Sequence, residues 1–381
     1  MLNTYLPYQY IFLFTKAIFF IFAIQVLEPN FYSNLVKSNI VVAYASFTGL
    51  GINNSIALFS NHPLIQKKVD LLSRIIYVFG LLISFIAGFL WTSSLEIGLL
   101  TSTVYVLMNL SHNFKQILNH SLAIIAFIMI SLLYFLIYII FLLEVDYLFL
   151  PILITFFLAS VFLLIFTTKN INLRNISLII PLSFNRGMPL FLNGFFYQGL
   201  ISFDLIIVSY AYSEFFHIYA FYQNIFVGLV GMVNILSEYV FIRLCKYESL
   251  FELKQRAGKF FRQLAIVRII IFILVGIFIY FFINLFFNNL FQYLIIFYIF
   301  WLAFLFQTIG IGGGSIANIL GKGWYWTKRI VIAACINLIV NIVIYFSFDN
   351  FIYFAFSSVF SFFSLGLMSL VLYNKLIKRI K

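Results

Sequence analysis

The chain has 381 residues, 64% of them hydrophobic and only 9% charged, with a net charge of +12. A soluble domain needs roughly 25% charged residues to cover its surface, so this composition excludes one and predicts a protein that crosses a membrane many times; the mean hydropathy is +1.10. The positive balance does not point to nucleic acid, because the cations sit on short connections between apolar runs, where orientation in the membrane accounts for them.

A membrane-spanning helix takes ~20 apolar residues, and the chain offers twelve candidates. In order they cover residues 8–26, 36–59, 71–91, 97–110, 121–143, 147–167, 189–212, 216–240, 265–286, 290–311, 330–346 and 351–373. The first lacks a basic start and a small-residue cleavage site, so it reads as a span and not as a signal peptide. The fourth is short and rich in Ser and Thr, which makes it the weakest.

All of the 23 Lys and Arg except Lys16 and Lys37 fall in six places, at 67–74, Lys115, 169–186, 243–268, 322–329 and 375–381. Between neighbouring places lie two apolar runs joined by a short neutral or acidic connection, which carries Glu28, Glu96, Glu144, Asp146, Glu214 or Asp349. Lys and Arg are retained in the cytoplasm, so the alternation predicts an even number of spans with both termini inside. The outer connections are too short to fold as domains. The longest inner segment, at 243–262, has the pattern of an amphipathic helix lying on the cytoplasmic surface. The cationic stretch 169–188 divides the chain into halves, 1–168 and 189–381. Six is even, so both halves enter from the same side and any internal repeat is parallel. The predicted fold is therefore all-α and integral to the membrane, with about twelve transmembrane helices in two parallel six-helix halves.

The two halves share a feature at corresponding turns. Glu28-Pro29-Asn30-Phe31-Tyr32-Ser33 follows the first run and Ser213-Glu214-Phe215-Phe216-His217 the seventh, each an acid with aromatics close behind.

Ionisable groups inside spans are costly, so each is a functional candidate. Lys16 stands mid-run in the first span, either lining a cavity for an anionic substrate or paired with a carboxylate for structural reasons. Asp204, well inside the seventh run, has three readings: a partner for Lys16, a group that couples transport to a cation or proton, or a carboxylate hydrogen-bonded to nearby backbone or Ser202. Arg268 at the start of the ninth run and Arg186 just before the seventh are interface anchors or ligands for an entering pyrophosphate, whose oxygens an Arg fork fits. Lys37 poses the same choice on the outer side, and Glu238 is expected to pair with Arg243. The cluster Gly310-Ile311-Gly312-Gly313-Gly314 lacks the Lys-Ser/Thr of a phosphate loop and is expected to serve close packing or bending; Gly49 and Gly51 are read the same way. Cys245 and Cys335 form no disulfide or metal framework, and His62, His112, His120 and His217 have no ligand spacing. No catalytic residue, metal or cofactor is expected.

The turn Leu27-Glu28-Pro29-Asn30-Phe31-Tyr32-Ser33 and the following Gly49-Leu50-Gly51-Ile52-Asn53-Asn54-Ser55 resemble the polysaccharide-exporter branch (Wzx-type O-antigen flippases) of the MOP superfamily, the MATE-like transporters. That branch carries a Gly-Pro-x-x-Tyr-Gly turn between spans one and two and a Gly-Leu-Gly segment in span two. The second half agrees at Arg186-Gly187-Met188-Pro189-Leu190, at Ser202-Phe203-Asp204, at Gly321-Lys322 and at Asn337-Leu338-Ile339-Val340-Asn341. Glu28 and Ser33 stand where the turn glycines would be, and His217 replaces the glycine of the second half. The resemblance implies a MATE-like fold in a bacterial cytoplasmic (inner) membrane. It implies a flippase, not an enzyme, that carries polyprenyl-pyrophosphate-linked oligosaccharide, an O-antigen or capsule repeat unit, to the outer leaflet. Lys16, Asp204, Arg186 and Arg268 are then its substrate-binding candidates. Its partners are the lipid-linked oligosaccharide, membrane lipids and other polysaccharide-assembly proteins. Two alternatives stand beside this reading. A membrane-embedded O-antigen polymerase needs a large external loop that this chain lacks. A MATE-like drug antiporter shares the fold but favours an acidic cavity, against which Lys16 argues.

Overall fold

The computed structural model describes residues 2–47, 63–116, 120–168, 176–244, 250–310 and 312–378. The segment Gly49-Leu50-Gly51, His62 and Cys245 lie outside the described residues, as do the side chains of His112, His120, Arg186, Glu238 and Arg243. Everything regular among the described residues is helical, and the chain divides into two compact units, Met1–Phe195 and Phe196–Lys381.

The first unit holds α1 (Leu2–Val26), α2 (Pro29–Ala45), α3 (Pro63–Thr92), α4 (Leu95–Gln116), α5 (His120–Leu142), α6 (Phe149–Thr168) and the beginning of α7 (Ile176–Ala211). The second holds the rest of α7, then α8 (Phe216–Leu244), α9 (Leu250–Phe286), α10 (Leu294–Ile309), the short α11 (Gly313–Ile319), α12 (Gly323–Ser347) and α13 (Ala355–Lys378). Single 3-10 turns at Asp146–Leu148, Asn288–Tyr293 and Phe351–Phe354 lead into α6, α10 and α13. Among the described residues eight helices, α3, α5, α6, α7, α9, α10, α12 and α13, are long and apolar enough to cross a membrane, and α1 and α4 contribute the shorter apolar stretches Phe14–Val26 and Leu95–Ser111. Their outward faces carry bare Phe, Ile and Leu, as along α9 from Ile266 through Ile273, Ile277 and Phe281 to Leu285. Exposed apolar stripes of that length are costly in water and match a hydrocarbon solvent. The chain is a multi-pass membrane protein.

In the first unit α4 is the central helix, packing against α2, α3, α5 and α6. Its Thr101, Ser102, Thr103, Asn109 and Ser111 are all buried. Most of these side chains return their hydrogen bonds to the helix's own carbonyls, Thr101 to Ile97 and Asn109 to Tyr105 among them. They also reach neighbours: Ser38 Oγ shares a 2.8 Å hydrogen bond with Thr101, and Asn109 Nδ2 donates to Ser46 Oγ at 3.3 Å. Small residues let helices approach closely in lipid. A Cβ on Gly88 of α3 would stand 2.6 Å from Thr101 Oγ1, so α3 and α4 touch there almost backbone to side chain. At the turn between them Ser93 takes φ 56, and Ser94 Oγ caps α4 by accepting from Ile97 N–H.

In the second unit α13 is central, packing against α10, α11 and α12. The glycine cluster lies here and serves packing and a break, as its composition predicts. A Cβ on Gly310 would stand 2.8 Å from Gly366 Cα, and one on Gly314 would stand 2.6 Å from the Trp326 indole. Gly312 has φ +104, a conformation that favours glycine, and it separates α10 from α11. Ser369 Oγ donates to the Gly310 carbonyl that this break frees.

Two expected boundaries move. α9 is 37 residues long, roughly 55 Å at 1.5 Å per residue and well beyond a ~30 Å hydrocarbon core. Its first turns are the amphipathic stretch expected on the cytoplasmic surface, but they continue the span. Leu253, Ala257, Phe261 and Leu264 pack on Ile316 and Ala317 of α11 and on Leu372 and Leu376 of α13, leaving Arg256, Lys259 and Arg262 exposed. The apolar stripe found a protein partner instead of lipid. Likewise α7 starts at Ile176 and contains Pro181 and Pro189, so part of the expected connector 169–188 is helix and Arg186 lies inside α7, not before it.

Candidate functional site

Lys16 lies in the middle of α1 and is half-buried. The face of α1 one turn on is packed: Phe19 and Phe20 lie against Tyr134 of α5, with ring centroids 4.9 and 5.9 Å apart. Among the described residues no carboxylate or other acceptor pairs with Lys16. Nearby, Thr15, Ile18, Phe19 and Phe22 of α1 and Phe135 and Tyr138 of α5 line an apolar groove of ≈ 350 Å³.

Asp204 is completely buried in the second unit. One carboxylate oxygen accepts from Leu205 N–H at 2.8 Å and from Gln223 Nε2 at 3.0 Å. The other accepts from Tyr219 O–H at 2.8 Å and from Ser358 O–H at 3.4 Å. Two oxygens offer about four lone-pair sites, and four donors from α7, α8 and α13 occupy them. Of the three readings open in sequence, hydrogen bonding to nearby backbone is met at Leu205, whereas Ser202 Oγ donates to the Gln198 carbonyl. Nothing in the sequence marks Gln223 or Ser358, and the one signal for Tyr219 is the aromatic after the acidic turn. Tyr219 is the fourth residue of α8 as Tyr32 is the fourth of α2, and each hydroxyl reaches back to the preceding helix, Tyr32 to the Phe20 carbonyl at 3.1 Å and Tyr219 to Asp204.

A second polar layer lies between α12 and α13. Asn341 Nδ2 donates to Asn337 Oδ1 at 2.9 Å, Asn337 Nδ2 donates to Ser357 Oγ at 3.5 Å, and Asn341 Oδ1 has no partner among the described residues.

Arg268 is 3% exposed and sits midway along α9, not at its start. Its Nη2 donates to Asn234 Oδ1 and Ser237 Oγ of α8, both at 2.7 Å. The guanidinium lies 5.4 Å from the Phe304 ring centroid, a cation–π distance. Its Nε has no hydrogen-bond partner among the described residues. Arg268 lines a cavity of ≈ 260 Å³ with Tyr197, Asn234, Gln307, Ser315, Trp326 and the glycine break around it. Gln307 Nε2 donates to Tyr197 O–H oxygen at 3.0 Å. Among the described residues no lining residue is acidic. Asp70 and Arg74 of α3, one turn apart and buried, form an ion pair. No cluster of three or more His, Cys, Asp or Glu that could hold a metal occurs among the described residues.

No family model matches the chain, and no curated protein matches it in sequence. Solved structures match it over nearly its whole length. The eukaryotic MATE transporter AtDTX14 superposes with a TM-score of 0.58 at 12% identity, covering 97% of this chain and 95% of that one. A multidrug-resistance MATE family transporter of the MOP superfamily, in an outward-facing conformation, gives 0.56 at 12% identity over 98% and 93%. A mutant MATE gives 0.57 at 12% identity over 97% and 96%. At that identity the likeness establishes the fold, which is that of the MATE/MOP transporters.

Proposed function

We propose that this protein is a flippase of the MOP type. It moves polyprenyl-pyrophosphate-linked oligosaccharide, an O-antigen or capsule repeat unit, from the cytoplasmic to the outer leaflet of a bacterial inner membrane. The twelve long helices, α11 set aside, are read as twelve spans in two parallel six-helix halves with both termini cytoplasmic. Transport proceeds by alternating access, with the sugar and pyrophosphate inside the protein and the polyprenyl tail in lipid.

The supporting observation is the balance of unspent charge inside the spans. Asp70 is matched by Arg74, and Asp204 has its acceptor sites filled by four donors. Lys16 and Arg268 have no carboxylate partner among the described residues, one in each unit. A cation inside a span with no counter-charge is costly, and a transporter recovers that cost by binding an anion. A lipid-linked diphosphate has the required charge. Arg186, whose side chain lies outside the described residues, is assigned with them on sequence grounds alone.

The second reading, a MATE-like antiporter for organic cations, draws support from the fold. It calls for an unspent carboxylate facing the cargo, and Asp204 is spent. Purified protein reconstituted in vesicles with fluorescent lipid-linked oligosaccharide tests the two. Protein-dependent flipping that Lys16→Ala slows tenfold or more, with the variant still folded, is the expected result. Folded protein that moves an organic cation dye but no lipid-linked sugar would overturn the flippase reading in favour of the antiporter. Longer glycans in place of flipping would turn it into a polymerase.

A further inference from the structure

We infer that the first turns of α9 are a docking surface for anionic phospholipid headgroups. The headgroups belong to the leaflet at that end of the molecule, cytoplasmic in the orientation proposed above. Arg262, Lys259 and Arg256 are the contacts, in decreasing order of strength. Only that orientation is taken from the flippase reading, and nothing about the cargo.

The arm stands upright because its apolar face is already covered. A free amphipathic helix buries that face at the headgroup boundary and lies in the plane of the membrane. Here Leu253, Ala257, Phe261 and Leu264 pack on Ile316 and Ala317 of α11 and on Leu372 and Leu376 of α13. The arm is therefore held in line with the span, and its other face presents Arg256, Lys259 and Arg262, all exposed.

That face runs on into the membrane. Arg262, Lys259 and Arg256 precede Ile266 by four, seven and ten residues, spacings that keep to one side of a helix. Ile266, Ile270, Ile273 and Ile277 continue the same side as bare apolar surface. Lipid that meets those isoleucines brings its headgroups beside the arm.

Height along the helix sets the order of the contacts. At 1.5 Å per residue the three cations stand about 6, 10 and 15 Å beyond Ile266. The polar layer of a bilayer is roughly 5–7 Å deep on each side, and the attraction of cations to an anionic leaflet fades within a further Debye length of about 8 Å. Arg262 falls within the layer, Lys259 just above it and Arg256 at the limit. Glu252, exposed one turn before Arg256, offsets part of that last charge.

An aromatic belt marks the same level. Trp326 of α12 packs on the cluster that supports the arm. Its neighbours Trp324 and Tyr325 are exposed, as Trp and Tyr are at membrane interfaces. Lys328 of α12 and Lys375, between Leu372 and Leu376 on α13, are exposed at this end too. An acidic cytosolic protein could also meet such a face, but it would approach from above and draw on all three α9 cations alike. Lipid draws on them by depth.

The test places the full chain in nanodiscs of equal phosphatidylglycerol and phosphatidylcholine and counts the lipids retained on release by native mass spectrometry. Wild type is expected to keep phosphatidylglycerol at least threefold over phosphatidylcholine at low salt, and the preference to shrink as salt rises. Arg262→Gln should remove most of it, Lys259→Gln less and Arg256→Gln least. Arg262→Lys should retain it, because a mobile headgroup needs a charge and not a fork. These side chains are exposed, so the variants should remain monodisperse, and the salt series on wild type needs no variant. No headgroup preference in wild type, or a preference that survives loss of all three cations together, overturns the proposal. Equal losses at the three positions, with a poly-glutamate peptide bound through the same residues, overturn it in favour of an acidic protein.

Discussion

Gly366→Ala is expected to destabilise the protein, and Gly366→Val to prevent it from folding into a monodisperse particle. The reason is a contact between backbones. A Cβ on Gly366 would run into the Phe306 carbonyl of α10, and across the same crossing a Cβ on Gly310 would stand 2.6 Å from Ser369 Cβ. Neither obstacle is the flexible end of a side chain, so the helices must separate. Separation breaks the hydrogen bond from Ser369 to the Gly310 carbonyl and loosens α13 from its principal neighbour. Overpacking a core costs about 1–3 kcal/mol and occasionally more, and here the obstacle cannot rotate away. Gly231→Ala on α8 is the control. Nothing lies within 4 Å of a Cβ there, and replacing a helical glycine with alanine gains about 0.5–1 kcal/mol. Thermal unfolding in detergent, followed by the loss of monodisperse protein, measures both. A Gly366→Ala protein that melts with wild type would refute the claim that α10 and α13 meet backbone to backbone.

This crossing marks how far the sequence could be read. Five residues with four glycines at 310–314 predict close packing or a bend, and both occur. Nothing in them names Gly366, a lone glycine 56 positions later in an otherwise ordinary span, because its role depends on which helix arrives opposite it. The same limit applies to α4. Hydropathy ranks it weakest, since Thr101, Ser102, Thr103, Asn109 and Ser111 lower its average, yet it is the centre of the first unit. A helix surrounded by others needs small residues that permit approach more than it needs large apolar ones. Hydropathy scores exposure to lipid, so it ranks central helices below peripheral ones. The charge pattern rests on another basis, because keeping Lys and Arg out of hydrocarbon constrains each loop independently of tertiary packing.

The candidate site divides in the same way. Lys16, Asp204 and Arg268 stand out in sequence because an ionisable residue in an apolar run is conspicuous. Their partners do not. Tyr219, Gln223, Asn234, Ser237 and Gln307 are unremarkable members of polar-tolerant helices, and only the fold brings them to the charge. For Arg268, a position at the edge of an apolar run leaves interface anchor and ligand both open; α9 begins 18 residues earlier than Arg268, and the residue is buried beside a cavity.

Asp204→Ala should remove the folded protein almost completely, an effect that separates a structural carboxylate from one that works on cargo. The substitution takes an acceptor from four buried donors: Tyr219 O–H and Ser358 O–H lose theirs outright, Gln223 Nε2 keeps the Ile201 carbonyl, and Leu205 N–H keeps its place in the α7 helix. Each unsatisfied buried donor costs about 1–3 kcal/mol, although relaxation and entering water will recover part of the sum. The loss is shared by three helices, because the donors come from α7, α8 and α13. Tyr219→Phe removes one donor and leaves the carboxylate with three, so about 1 kcal/mol is expected. Asp204→Asn falls between these, since it keeps one acceptor and turns an NH₂ group toward donors it cannot satisfy. In the double variant Asp204→Ala with Tyr219→Phe, the cost should be smaller than the sum of the single costs, because the phenol left stranded by the first change is absent. The decisive comparison is flipping per folded molecule. If Asp204→Asn melts with wild type but flips nothing, the four donors are incidental and Asp204 titrates or binds during transport. If melting falls and the surviving molecules flip normally, Asp204 holds α7, α8 and α13 together, and the unspent charges of Lys16 and Arg268 remain to meet the cargo.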